Sequence, residues 1–169
     1  MTRSYTTTVR HLLARRDADR KGGGPRYQLP ATSFVGDLHQ PLHDEDNDDK
    51  GGNRRHVIFD GHPDSLHWVW DVGLLEHINR SPTAWAEELE GRITPQDKTK
   101  WQQGSIQDWV MEGHRLAQTI AYGDLGSENP AVITPAYEQQ AAPVIELQLE
   151  RAGVRLAFLL NANLDRESR

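Results

Sequence analysis

The chain contains no cysteine. That excludes disulfides and thiolate ligands, and leaves any metal to histidine, aspartate, glutamate or backbone oxygen. No stretch approaches the roughly 20 apolar residues that cross a bilayer, and nothing both amphipathic and basic argues for docking on a membrane. Positive charge is also short: 19 Lys and Arg against 25 Asp and Glu give a formal net charge of -6. A broad basic surface for gripping a phosphate backbone is therefore not expected. A phosphate site built on bound cations remains open, because such ions supply positive charge locally. The N-terminus lacks the apolar core of a secretory signal, so the compartment stays undecided.

What is present is a 169-residue chain with 36% hydrophobic residues, enough for the core of one domain. Histidine is concentrated. His39, His43, His56, His62, His67 and His77 place six of the eight histidines between positions 39 and 77. Within that region a helix over residues 64 to 78 would put His67 and Asp71 one turn apart on one face. His43 is then a candidate third ligand from a separate segment, leaving a fourth position for water or substrate, as a catalytic zinc site requires. Asp37 lies six residues before His43 and could reach a neighbouring ion. Asn53, after the Gly51-Gly52 turn, carries an amide able to position backbone or substrate.

The stretch from Phe34 to His43 (Phe-Val-Gly-Asp-Leu-His-Gln-Pro-Leu-His), the Gly51-Gly52-Asn53 turn and the stretch from Leu66 to Asp71 (Leu-His-Trp-Val-Trp-Asp) resemble the S1/P1 nuclease family. The likeness continues through Trp85-Ala86-Glu87-Glu88 to the last helix and covers Phe34 to Asn163. It implies an all-α domain of the phospholipase C/P1 nuclease fold, occupying residues 31–165. It also implies a zinc-dependent endonuclease or 3'-nucleotidase that hydrolyses phosphodiester bonds of single-stranded DNA or RNA and leaves 5'-phosphates. In that family three zinc ions are bound. By resemblance His43, His67 and Asp71 bind one, while Asp37 bridges the other two and acts as the catalytic carboxylate. Ser33 stands where the family has a histidine, and the family's upstream ligands have no counterpart in this chain. A second expectation follows: a truncated, catalytically impaired member with one zinc or none and a structural or interaction role.

Residues 1–30 read as a basic, disordered leader with at most a short helix from Thr7 to Arg16; Gly22-Gly23-Gly24-Pro25 and Pro30 interrupt regular structure. A short helix over Ala31–Leu38 is expected to deliver Asp37. His39 reads equally as an orienting group for a ligand or as a structural hydrogen-bond partner. The acidic run from Asp44 to Lys50 reads as a solvated rim, and it lacks the spacing of a calcium loop. At most one small β-hairpin is expected, near residues 53–62. The sequence further predicts a helix opening at Ser81-Pro82, another from Thr94-Pro95 to about Tyr122, a loop over 123–134, and a last helix to about Ala162 with a frayed tail. On that last helix Glu146, Glu150, Arg151 and Arg155 read as a solvated flank.

Overall fold

The computed structural model describes residues 34–77 and 81–167. The expected leader, its short helix and Ser33 lie outside the described residues. Residues 34–37 are helical and are followed by a 3-10 turn, Pro41–Asp44. Proline in the first turn is compatible with this start because its missing N–H would be unpaired there in any case.

The hairpin consists of β1 (His56–Phe59) and β2 (His62–Ser65), antiparallel with Phe59 opposite His62. Asp60 and Gly61 connect them at φ 51° and 78°, the left-handed backbone that matches the twist of a two-residue hairpin. A third strand, β3 (Ala131–Val132), runs parallel to β1 and makes the order β2-β1-β3. This strand lies in the segment expected to be loop. Two paired residues are too few to leave a period in the sequence, and Ile133 N–H donating to Ile58 O at 2.9 Å extends the pairing.

Helix α1 starts at Leu66, two residues later than the pattern predicts, because Asp64 and Ser65 still pair with Val57 and His56. It comprises Leu66–Trp68, a wider π turn over Val69–Gly73, and Leu74–Glu76. Ser65 caps it, accepting from Trp68 N–H at 3.2 Å. Helix α2 (Pro82–Arg92) opens on the Ser81 cap.

The predicted helix from Thr94 to Tyr122 is two helices, α3 (Pro95–Trp101) and α4 (Ile106–Leu116), the second extended by a π turn over Ala117–Ala121. Gly104, at φ 85°, turns the chain between them. Ser105 and Asp108 then form a capping box that restarts the helix, satisfying amides that the break would leave unpaired. Helix α5 (Pro135–Glu167) runs through Pro143 and past the point where fraying was expected.

The main core joins the sheet to α1, the π turn after α4 and the start of α5. Leu42, Val57, Leu66, Val69, Ala121 and Ala141 are among its least exposed members. Each fully buried Leu or Val contributes about 1.5–3 kcal/mol relative to exposure. At its centre Trp70 Nε1–H donates to Tyr137 Oη at 2.7 Å, and that hydroxyl donates to Ala121 O at 2.8 Å. These bonds tie α1 to the start of α5, and α5 to the π turn after α4.

Candidate metal centre

His43 comes from the 3-10 turn, and His67 and Asp71 from α1. One donor atom from each lies within 4.8 Å of the others. The two imidazoles stack, with centroids 5.1 Å apart and planes inclined by 12°. His67 Nε2 is 3.2 Å from Asp71 Oδ2, and His43 Nε2 is 3.5 Å from Asp71 Oδ1. All three side chains keep 20–36% of their surface accessible, so solvent or a ligand can reach them. The sequence placed His67 and Asp71 on an ordinary α-turn; Asp71 sits instead in the π turn, a distortion that recurs at functional sites.

Two further contacts fix the orientation of these groups. His67 Nδ1–H donates to Gly51 O at 2.7 Å, which leaves Nε2 as the ring's lone-pair nitrogen when the ring is neutral. Gln40 Nε2–H donates to Asp71 Oδ1 at 2.8 Å, while Gln40 Oε1 accepts from Leu42 N–H and caps the turn that holds His43. Gly51 supplies its carbonyl from φ 61°, and a Cβ there would stand 2.3 Å from Leu42 O. Only glycine fits so close to a backbone carbonyl.

This arrangement has a chemical consequence. With His67 neutral, its Nε2 lone pair points at a carboxylate oxygen 3.2 Å away, and two acceptors at that distance repel. A proton or a cation between them removes the conflict. Two imidazole nitrogens and a carboxylate, each with a hydrogen-bonded second partner or a stacked neighbour, suit zinc. The donor set therefore fits such an ion.

Asp37 is not among the residues whose donor atoms lie within 4.8 Å of one another here. Asp37 is exposed at the end of the helical stretch 34–37. Asn53 is also exposed and its Nδ2–H donates to Lys50 O at 2.8 Å, closing its own turn. The sequence reading passed over Gln40 and Gly51 as positioning groups. Their only signals were turn signals, Gln before Pro and a Gly-Gly pair.

Beside the site, the structure corrects two expectations. Asp44, read as part of a solvated rim, is 3% exposed; burial pushes its carboxyl up to about 8. Its Oδ2 has no hydrogen-bond partner and lies against Gly113 of α4. Asp49 is tied down as well, its Oδ1 accepting from Gly52 N–H at 2.6 Å and from Tyr122 Oη–H at 2.8 Å, while Asp46, Asn47, Asp48 and Lys50 stay exposed. Arg155, read as solvated flank, is 4% exposed. It donates to Trp101 O at 3.0 Å, to His39 Nε2 at 2.8 Å and to Glu112, and its guanidinium covers the ring of Trp109. Periodicity placed it on an outer face because α3 and α4 were not known to lie over that face.

His39 takes the structural role. Its Nδ1–H donates to Val35 O at 2.7 Å and its Nε2 accepts from Arg155. Burial lowers its pKa to about 4, which matches a ring that must remain neutral to accept that bond.

A family model described as S1/P1 Nuclease matches residues 26–165. Among curated proteins, Nuclease PA3 of Penicillium sp is 31% identical over 148 aligned positions, covering 76% of this chain and 54% of that protein. Nuclease S1 of Aspergillus oryzae is 30% identical over 146 positions, covering 76% and 50%. Endonuclease 1 of Arabidopsis thaliana is 26% identical over 172 positions, covering 94% and 55%. The chain thus spans about half the length of the curated relatives it matches. Because the matched model extends over most of the chain and takes in the turn, the hairpin and α1, this protein belongs to the S1/P1 nuclease family.

Proposed function

We propose that the chain carries the zinc site of a nuclease that hydrolyses phosphodiester bonds of single-stranded DNA or RNA and leaves 5'-phosphates, acting also as a 3'-nucleotidase. The observation that carries this reading is the convergence of His43, His67 and Asp71 with acceptor atoms turned toward one another. The family match and the curated nucleases support it. A zinc ion held there would supply a water of lowered pKa and positive charge opposite a phosphoryl oxygen. The chain's own groups would do the rest. Gly51 and Gln40 keep His67 and Asp71 turned toward the ion. Asp37, exposed and within the same motif, would help to hold further ions and would position or deprotonate the attacking water. Asn53 offers its amide to substrate. Ligands for further ions would come from another segment or subunit.

A second reading has its own observation. Asp37 stands outside the group formed by the other three residues, and the second such trio among the described residues, Asp60, His77 and Glu138, is a separate group. On that reading the protein is catalytically impaired, holds one zinc or none, and has a structural or interaction role.

Elemental analysis of metal-replete, dialysed protein, paired with cleavage of single-stranded DNA, separates the two. Close to three zinc ions per chain with cleavage supports the nuclease; one or none without cleavage supports the second reading. Wherever the wild type binds zinc, His67→Ala should lose the ion held by the trio, and unchanged zinc content in that variant would sink the ligand assignment.

A further inference from the structure

Away from the metal centre, His77 at the end of α1 sits between two carboxylates from other elements. Its Nε2 is 2.6 Å from Oδ2 of Asp60, at the hairpin tip, and its Nδ1 is 2.8 Å from Oε2 of Glu138, on α5. The ring stacks on Phe59 with centroids 4.7 Å apart. Both partners are side chains from elsewhere in the fold.

Carboxylates only accept, so both ring nitrogens must donate, and a ring that donates twice is imidazolium. We propose that Asp60, His77 and Glu138 form a proton-operated clamp that fastens the hairpin tip and the end of α1 to α5. Fastening Asp60 to His77 closes residues 60–77 into a ring of chain, and His67 and Asp71 lie inside that ring. Losing the proton removes one of the two donors and loosens one arm.

The charges acting on His77 are Glu138 from α5 and Asp60 from the hairpin, and their hydrogen bonds raise its pKa above the ordinary 6.5. The folded state therefore holds this proton more tightly than the unfolded chain. The clamp's contribution is complete below the unfolded pKa of about 6.5 and is lost as pH rises through the higher folded value. The same three groups are close enough to hold a cation. A cation would have to expel the proton and take one ring nitrogen away from its carboxylate, so the proton is favoured as occupant.

The test uses the full chain in chelator, with thermal midpoints measured from about pH 5.5 to about pH 9.5 for the wild type, His77→Gln and Glu138→Gln. The expected result is a wild-type midpoint above that of His77→Gln at the acid end and a gap that closes at the alkaline end. In Glu138→Gln the histidine Cε1–H resonance that disappears in His77→Gln should titrate at lower pH than in the wild type. A gap of constant size would reduce His77 to a packing partner of Phe59 and overturn the clamp. So would a gap that appears only when zinc is added, which would make the trio a cation site instead.

Discussion

Gln40 and Asp71, 31 residues apart, are joined by a 2.8 Å hydrogen bond from Nε2 to Oδ1. One amide thereby sets the rotation of the carboxylate on α1 and caps the turn that carries His43. Removing it should disorder both sides of the site at once. Gln40→Leu is expected to weaken zinc binding by about 10- to 100-fold while the chain stays folded. Competition with a chromogenic chelator measures this, and an unchanged affinity would show that Asp71 needs no such support.

Gly113 faces the buried carboxyl of Asp44, and a Cβ there would lie 2.0 Å from Oδ2. Gly113→Ala should cost about 1–3 kcal/mol through overpacking. Gly153, on α5, has nothing within 4 Å of its Cβ position, so Gly153→Ala should be neutral or stabilising by about 0.5–1 kcal/mol. Denaturant unfolding of the two variants side by side checks the contrast. Equal effects would mean that α4 does not press on the loop as described.

Arg155→Met removes a buried charge from His39, Trp101 O and Glu112. Breaking one side of such a pair typically costs about 3–5 kcal/mol. Because Glu112 keeps part of its surface and Arg151 as a second partner, the lower end of that range is expected. A loss under about 1 kcal/mol would place Arg155 back in the class of surface pairs.

Tyr137→Phe breaks both bonds of the buried hydroxyl, leaving Trp70 Nε1–H and Ala121 O without that partner. A loss of about 1–3 kcal/mol is expected from the unsatisfied groups. The indole fluorescence of Trp70 should shift in the folded state at the same time, and a variant with wild-type stability would contradict the bonding.

The restart of the helix at Ser105 carries its own pH signature. Hydrogen bonds from the Ser105 side chain and backbone lower the pKa of Asp108. A depressed carboxylate contributes stability above its unfolded pKa, and that contribution is lost as pH falls through the folded value. The midpoint gap between the wild type and Asp108→Ala should therefore narrow on acidification below about pH 4. A gap that widens there would reverse the sign and refute the capping box.

What the sequence determined by itself was local or carried by motif. Ser81 and Thr94 cap helices because a hydroxyl two or three residues ahead of unpaired amides satisfies them wherever the helix later packs. The Gly51-Gly52 turn and the His43, His67 and Asp71 set were also visible, since turn chemistry and donor type are properties of the residues themselves. The tertiary structure decided the rest. It paired Ala131–Val132 with β1, buried Arg155 and Asp44, split one predicted helix at Gly104, and set His77 between Asp60 and Glu138. Each of these depends on a partner between 17 and 116 residues away or on the choice of a left-handed turn. Burial and long-range pairing are properties of neighbours in space, and the spacing of residues along one segment does not encode which segment will arrive opposite it.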